Sequence, residues 1–386
     1  MAKLDFFFKA VISEGASDLH LSVGAKPKLR RHGELEEMDY QVLTSGIMEA
    51  LLFEILTEEQ KKHFNQKRDL DFAYELPGVA RFRANYFQQK RGLGAVFRFI
   101  PSKILSVEEL SLPKQVLKFA NMSRGLVLVT GPTGSGKSTT LAAIIDYINQ
   151  NRKDHILTIE DPIEFVHQNK SCLVNQRESG THTDSFASAL RAALREDPDV
   201  ILVGEMRDLE TIELAITAAE TGHLVFGTLH TSSAAKTVDR IIDAFPAGQQ
   251  AQIRTMLSES LKGVVAQQLL KRADKPGRIA AIEILFVNNA TGNMIREGKT
   301  FQIPSVIQTG RGEGMQLLDQ AIMEFLMRKL ISPQEAHMKA NDKKIFERFL
   351  PPASRQEDAP AGPQQYAGNM AGQTVLKKPL GPNKAS

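Results

Sequence analysis

The sequence of 386 residues contains one cysteine, Cys172. A single thiol can form neither an intrachain disulfide nor a cysteine-based zinc site. A chain of this length can bury enough apolar surface to fold without such cross-links, and at ~150 residues per domain it should form two or three folding units. We therefore expect a protein of the reducing cytoplasm.

A strong excess of one charge is missing as well. The 48 basic and 45 acidic residues leave a formal charge of +3, with 42% apolar and 24% charged residues. This composition is typical of globular proteins. Because the basic residues are spread along the sequence, the clustered basic surface of a nucleic-acid-binding protein is not predicted. We expect no nucleic-acid partner.

Long apolar runs are absent too. No window approaches the ~18 apolar residues of a membrane span, and Lys9 and Glu14 interrupt the apolar residues near the start, which argues against a secretory signal. One apolar face at helical spacing is formed by Leu4, Phe7, Phe8, Val11 and Ile12. A packed helix is favoured over a membrane-surface helix, because the basic polar face of the latter is missing.

Residues 1–103 are predicted to form a small α+β domain. Three stretches rich in strand-forming residues predict a hairpin or meander: Asp71–Tyr74, Val79–Gln88 and Ala95–Phe99. Pro77-Gly78 marks a turn between the first two, and Pro101 ends the last. Arg81 and Arg83 alternate with apolar residues, so one face of this sheet should be basic.

A connector at 104–116 leads to residues 117–350, where apolar runs alternate with helical patterns. In chain order these are Gly125–Thr130, Ser138–Gln150, His155–Glu160, Ser185–Glu196 and Val200–Gly204. Such alternation predicts an α/β domain with parallel strands buried under crossover helices. Further helix is predicted over Gln249–Leu270 and Gln316–Phe349, and the proline-rich stretch 351–386 is predicted to be a disordered tail.

The most specific motif is a glycine-rich phosphate-binding loop between a predicted strand and a predicted helix. Its glycines let several amides point at one phosphate, and the helix adds its positive end. Lys137 would reach the β and γ phosphates, while Ser138 would ligate Mg²⁺. The motif predicts binding of ATP with Mg²⁺. The residues expected to bind the nucleotide are Gly131, Pro132, Thr133, Gly134, Ser135, Gly136, Lys137, Ser138 and Thr139.

Carboxylates follow two other predicted strands. Glu205 comes after the apolar run Val200–Val203, where an acid helps to hold Mg²⁺ directly or through water. Glu160, Asp161 and Glu164 follow a second strand, and three carboxylates are too many for a dry core. The residues alone do not decide which carboxylate polarises the attacking water, and a solvated acidic loop remains an alternative for the second group.

Five histidines lie in the same half of the chain: His155, His167, His182, His223 and His230. A zinc site is disfavoured, because the sequence has no HExxH motif and no cysteine pair. His230 ends a predicted strand between Thr228 and Thr231, so it should face the nucleotide edge of the sheet and could stabilise phosphate charge. A capping or core histidine remains the alternative.

Several segments resemble a known family in order and spacing. The type II/type IV secretion ATPases carry Walker A, Asp-box, Walker B and His-box motifs that are similar, in turn, to Gly131–Ser138, Thr158–His167, Asp199–Asp208 and Thr221–Thr231. Ala16–His20 is similar to the N-terminal signature of the family. Met294–Lys299 followed by Gln302–Ser305 resembles the C-terminal segment that its pilus-retraction members need. The resemblance covers residues 1 to about 350 and excludes the tail.

This resemblance implies a PAS-like α+β N-terminal domain followed by a RecA-like P-loop ATPase domain with a helical C-terminal part. It further implies a homohexamer with nucleotide held between the two domains. Glu164 would activate water and Glu205 would be the Walker B acid. Three arginines of the N-terminal domain would reach the phosphates, with a solvated basic strand face as the alternative: Arg81, Arg83 and Arg98.

The favoured function is an ATPase motor that drives type IV pilus retraction and twitching motility. The implied partners are an inner-membrane platform protein of the pilus and, in some systems, a paralogous retraction ATPase. The motor would act at the cytoplasmic face of the inner membrane, bound peripherally through its partner. An assembly or secretion ATPase is the first alternative, although that branch usually carries two CxxC pairs. A non-catalytic regulator or accessory subunit is the second.

Overall fold

The computed structural model describes residues 2–31, 33–76, 79–100 and 103–351. The predicted turn at Pro77-Gly78, the predicted strand end at Pro101 and the predicted tail beyond residue 351 lie outside these ranges. Among the described residues, no helix combines the length and apolar character that a bilayer span requires.

Among the described residues, an antiparallel sheet and three helices form the N-terminal part of the chain. The sheet has the strand order β3-β2-β1-β6-β5-β4. Its strands are β1 (Asp18–Ser22), β2 (Lys28–Arg31), β3 (Glu34–Glu37), β4 (Asp69–Leu76), β5 (Ala80–Gln89) and β6 (Gly92–Ile100). The helices are α1 (Leu4–Ser13), α2 (Ser45–Phe53) and α3 (Glu58–Lys67).

The apolar pattern of the sequence accounts for how this part packs. Phe82, Ala84 and Tyr86 of β5 are fully buried, and the arginines alternate with them on the other face, as predicted. Phe7 and Phe8 of α1 are buried in the same core. The prediction of a packed first helix is therefore confirmed.

In the described residues, seven strands form a second sheet with the order β13-β12-β7-β11-β10-β8-β9. The strands are β7 (Gly125–Thr130), β8 (His155–Glu160), β9 (Leu173–Glu178), β10 (Val200–Val203), β11 (Leu224–Leu229), β12 (Leu261–Lys271) and β13 (Arg278–Phe286). All neighbours pair in parallel except β12 and β13. The predicted parallel sheet is confirmed, and its carboxyl edge collects the ends of β7, β8, β10 and β11.

Helices cover both faces of this sheet. They are α4 (Leu117–Ala120), α5 (Lys137–Asn151), α6 (Phe186–Ala193), α7 (Leu209–Glu220), α8 (Ala234–Asp243), α9 (Gln250–Ser260), α10 (Asn289–Arg296), α11 (Ile303–Thr309), α12 (Leu318–Met327), α13 (Pro333–Lys339) and α14 (Lys344–Glu347). Short 3₁₀ turns occupy Lys114–Val116, Thr300–Gln302 and Gly310–Glu313. The connector contributes Val107, Leu112 and Val116 to the core beneath the sheet.

The helix predicted over Gln249–Leu270 is wrong in its second half. Helix α9 ends at Ser260, and the chain continues as strand β12. This strand lies between β7 and β13, and its two faces enter different cores, with Val264 on one side and Val265 on the other. A strand buried on both faces lacks the alternation of apolar and polar residues that identifies a half-buried strand, so the pattern was indistinguishable from buried helix.

Candidate nucleotide-binding site

The phosphate-binding loop joins β7 to α5 in a tight turn. Gly131, Gly134 and Gly136 have φ angles of +146°, +76° and +90°, in the region that favours glycine. A Cβ atom on Gly131 would clash with the carbonyl oxygen of Gln267. Since the first amides of a helix lack intrahelical acceptors, the start of α5 offers donors and a positive dipole to an anion.

Lys137 lies folded over this loop. Its Nζ donates to the carbonyl oxygens of Gly131 at 2.9 Å and Pro132 at 3.3 Å. Burial lowers the pKa of Lys137, while the charges of Glu205 and Glu164 act in the opposite direction. Lys137 Nζ thus donates to backbone carbonyl oxygens that a phosphate could replace.

Two serines of the loop fit a phosphate and a magnesium ion. Ser135 Oγ is buried and has no hydrogen-bond partner among the described residues, so it can serve a phosphate oxygen. The Ser138 side chain is exposed and borders a small pocket with Glu160 and Gly204. Its hydroxyl and the Glu205 carboxylate are oxygen donors of the kind that Mg²⁺ prefers.

The acidic side of the site is organised around Glu205, which follows β10. Its Oε1 lies 2.8 Å from His230 Nε2, and Arg207 Nε lies 2.6 Å from the same oxygen. Burial alone would raise the pKa of Glu205, but the hydrogen bonds and charges of Arg207 and His230 hold it below its usual value. Glu205 is therefore ionised, and His230 lies at the strand end where the sequence predicted it.

The carboxylates after β8 have different surroundings. Glu160 accepts hydrogen bonds from Thr158 Oγ1 at 2.7 Å and Gln176 Nε2 at 3.1 Å, and burial raises its pKa to about 7. Asp161 is exposed, and Glu164 is half-buried and near enough to Lys137 for its charge to be felt there. A purely solvated acidic loop therefore does not describe this segment.

Each of the three predicted arginines pairs with a carboxylate. Arg98 Nε donates to Asp18 Oδ1 at 2.9 Å, and Arg83 Nε lies 3.8 Å from Asp71 Oδ1, so both pairs remain within the N-terminal sheet. Arg81 instead crosses to the second sheet, where its Nη2 donates to Glu178 Oε2 at 3.1 Å. The structure thus brings Lys137, Glu164, Glu205 and His230 together but does not place Arg83 or Arg98 with them.

Sequence reasoning missed Gln267, which holds the phosphate-binding loop from β12. Its Nε2 donates to the Ser135 carbonyl oxygen at 2.7 Å, and its Oε1 accepts from Thr140 Oγ1 at 2.7 Å. The residue is only 4% exposed. The adjacent valines Val264 and Val265 were the available signal for a strand, which would have brought Gln267 to the sheet.

Sequence reasoning also missed Glu178, the last residue of β9. Polar residues interrupt this strand at Asn175, Gln176 and Arg177, so its apolar pattern is weak.

Among the histidines, His167 is buried, and burial lowers its pKa to about 4. Within residues 2–351, apart from the short gaps, no group of three or more His, Cys, Asp or Glu side chains is arranged to hold a metal.

Comparison with known proteins identifies the family. Residues 2–348 match the model of the type II/IV secretion system protein family. The type IV pilus retraction ATPase PilT of Pseudomonas aeruginosa is 56% identical over 336 residues, covering 87% of this chain and 96% of that protein. A twitching motility protein of Neisseria gonorrhoeae is 56% identical over 316 residues, covering 82% of this chain and 84% of that protein.

The fold is shared with a solved member of the family. The crystal structure of the pilus retraction motor PilT with bound ADP matches with a TM-score of 0.83 and 46% identity, covering 90% of this chain and 99% of that one. The predicted α/β class, an N-terminal α+β domain followed by a RecA-like ATPase domain, is thereby confirmed. The chain belongs to the type II/IV secretion system protein family and is one of its nucleotide-binding ATPases.

Proposed function

We propose that this chain hydrolyses ATP to withdraw type IV pili. The observation that carries the proposal is the meeting of Lys137, Glu164 and Glu205 at one edge of the parallel sheet. The near full-length similarity to a pilus retraction ATPase supports retraction rather than assembly of the pilus. The single cysteine argues against the assembly branch, whose members usually carry two CxxC pairs.

The side chains divide the chemistry among them. Lys137 and the amides at the start of α5 would hold the β and γ phosphates, and Ser138 and Glu205 would hold Mg²⁺, which supplies positive charge against the phosphates when bound. Glu164 accepts the proton of the attacking water. His230 orients the Glu205 carboxylate through their 2.8 Å contact. Gln267 keeps the loop in its curled form by bonding the Ser135 carbonyl.

The N-terminal arginines complete the site in an assembled ring. Arg83 and Arg98 would bring positive charge to the phosphates held between the two domains of a homohexamer, a contribution that can reach ~10³-fold or more in other phosphoryl-transfer enzymes. Arg81 is held by Glu178 in this conformation, so it could reach a phosphate only after that ion pair opens. The intact P-loop lysine and acidic residues argue against a purely regulatory subunit.

The motor would act at the cytoplasmic face of the inner membrane. Its substrate is ATP, and its mechanical partner is an inner-membrane platform protein that passes the movement to the pilin subunits. A paralogous retraction ATPase would share the work in organisms that encode one. The near balance of basic and acidic residues gives no support to a nucleic-acid partner.

Deletion of the encoding gene tests the proposal. Cells without the chain should keep assembling pili and fail to withdraw them, so they should accumulate surface pili and lose twitching. Expression of the parental chain in the deleted strain should restore both properties. Bald cells would instead identify an assembly motor and contradict the proposal.

A further inference from the structure

The Glu178 carboxylate accepts hydrogen bonds from the N-terminal sheet, from the segment after β8 and from the loop after β9. Its Oε2 accepts from Arg81 Nη2 of the N-terminal sheet at 3.1 Å and from the Ile163 amide at 3.0 Å. Its Oε1 accepts from Thr181 Oγ1 at 3.1 Å. Ile163 immediately precedes Glu164, so one carboxylate bonds both the N-terminal domain and the segment that carries the proposed water-activating residue.

The place of Glu178 in the sheet fixes this arrangement. Strand β9 pairs in parallel with β8, and Glu178 lies opposite Glu160 in the register. The next amide, that of Ser179, donates to the Glu160 carbonyl oxygen at 2.8 Å. Glu178 therefore projects from a hydrogen-bonded strand end toward the segment that leaves the neighbouring strand, and its carboxylate bonds the start of that segment.

Burial makes the Arg81–Glu178 ion pair costly to break. The Glu178 side chain is 8% exposed and the Arg81 side chain is 18% exposed. Removing one member of a desolvated pair leaves the other as an uncompensated charge, whereas exposed pairs contribute little. By comparison, the predicted phosphate-binding arginine Arg98 is 67% exposed in its pair with Asp18. Because Asp18 lies in the same sheet as Arg98, a shift of the N-terminal domain would act on the Arg81–Glu178 pair, which joins the two sheets, and not on the Arg98–Asp18 pair.

We propose that Glu178 is a positioning residue for ATP hydrolysis, which holds Glu164 through the Ile163 amide and responds to the N-terminal domain through Arg81. This inference rests on the proposed function. Arg81 then acts on the chemistry through Glu178 rather than by contact with a phosphate. The ion pair transmits the placement of the N-terminal domain to the residue that activates water.

Steady-state kinetics of four purified variants tests the proposal. Because a displacement of about 1 Å can cost ~10²-fold in rate, Glu178→Ala should lower kcat at least ~10-fold while the KM for ATP stays within ~3-fold of the parental value. Glu178→Gln keeps an acceptor oxygen for the Ile163 amide and should recover kcat to within ~3-fold of the parental value. Arg81→Ala should lower kcat, and the double variant Arg81→Ala/Glu178→Ala should be no slower than Glu178→Ala.

A matched control lies on the same strand. Arg177, the residue before Glu178, pairs with Glu196 at 2.9 Å. Glu196→Ala removes a carboxylate from that pair without touching the Ile163 amide, so its kcat should equal the parental value. Melting temperature and ADP affinity of each variant separate a folding defect from a positioning defect. If Glu178→Ala does not fold, Arg81→Ala alone keeps the proposal falsifiable, because parental kcat in that variant would contradict coupling of the N-terminal domain to Glu178.

Three results would overturn the inference. They are parental kcat in Glu178→Ala, a rise in KM that accounts for the whole loss, and a double variant whose defect equals the product of the single defects. The last result would assign Arg81 a separate contact, such as a phosphate. Absence of ATP hydrolysis by the parental chain would instead contradict the proposed function, so the two failures are distinguishable.

Discussion

At the scale of single residues, burial sets unusual protonation states beside the phosphate-binding loop. Glu160 and His167 border the same small pocket as Ser138. Burial raises the pKa of Glu160 to about 7 and lowers that of His167 to about 4. Near neutral pH His167 is uncharged and Glu160 is partly protonated, whereas Glu205, whose pKa is lowered, remains ionised.

These two shifts predict opposite effects of pH on stability. Between about pH 4 and 6.5 the unfolded chain binds a proton at His167 that the folded chain does not, so acidification destabilises the fold. Between about pH 4.5 and 7 the folded chain holds the proton on Glu160 more tightly, so a rise in pH destabilises it. Each shift corresponds to roughly 3 kcal/mol.

Urea unfolding of variants between pH 4.5 and 6.5 measures these contributions. His167→Leu should lose less stability on acidification than the parental chain, and Glu160→Gln should lose more. The substituted Leu and Gln side chains do not titrate. The difference between variant and parental chain in the slope of unfolding free energy against pH therefore isolates the contribution of each residue. Parental slopes in both variants would show that burial does not control these groups as described.

At the scale of the elements, the strand, loop and helix around the P-loop could be predicted because the motif is contiguous and its glycines adopt positive φ angles. Gly131 illustrates the point, since its φ angle and its contact with the Gln267 carbonyl exclude a side chain. Strand β12 was not predicted, because burial on both faces removes the periodicity. Gln267 meets the loop across 132 residues of sequence, a distance no local pattern covers.

Loss of the Gln267 side chain should loosen the loop. Gln267→Ala leaves the Ser135 carbonyl and the Thr140 hydroxyl without their buried partners. Each unsatisfied group costs about 1–3 kcal/mol of folding stability. We expect a lower melting temperature and about tenfold weaker ADP binding, equivalent to about 1.4 kcal/mol. Calorimetric titration with ADP measures the affinity.

Gln268→Ala is the matched control for this experiment. Gln268 is the next residue of β12 and is half-buried, but its side chain points to the other face of the strand. Its ADP affinity should remain within about twofold of the parental value. Parental affinity in Gln267→Ala would contradict a role for Gln267 in shaping the loop.

At the scale of the whole molecule, the presence of two domains was easier to predict from the sequence than the contacts between them. The switch from a meander to alternating strands and helices predicted two units, and it reflects local patterns. The pairing of Arg81 with Glu178 joins residues 97 positions apart and could not be inferred from either strand. An assembled ring would likewise depend on surfaces of separate chains, so only resemblance to the family suggested one.

Assembly should govern activity if the N-terminal arginines act within a ring. Specific ATPase activity should rise as the chain concentration drives ring formation, because an isolated chain leaves transition-state charge uncompensated. Light scattering after size separation, combined with ATPase assays on each fraction, measures both quantities. A monomer with the full specific activity of the largest species would contradict this expectation.

The central claim is that ATP bound at the P-loop powers withdrawal of the pilus, and direct imaging of labelled pili tests it. Strains lacking the native gene would express either the parental chain or Lys137→Ala at equal levels. We predict that pili extend in both strains and retract only with the parental chain, because the phosphates lose their fixed cation in the variant. Retraction at the parental speed with Lys137→Ala, or absence of pilus extension in the Lys137→Ala strain, would contradict the account.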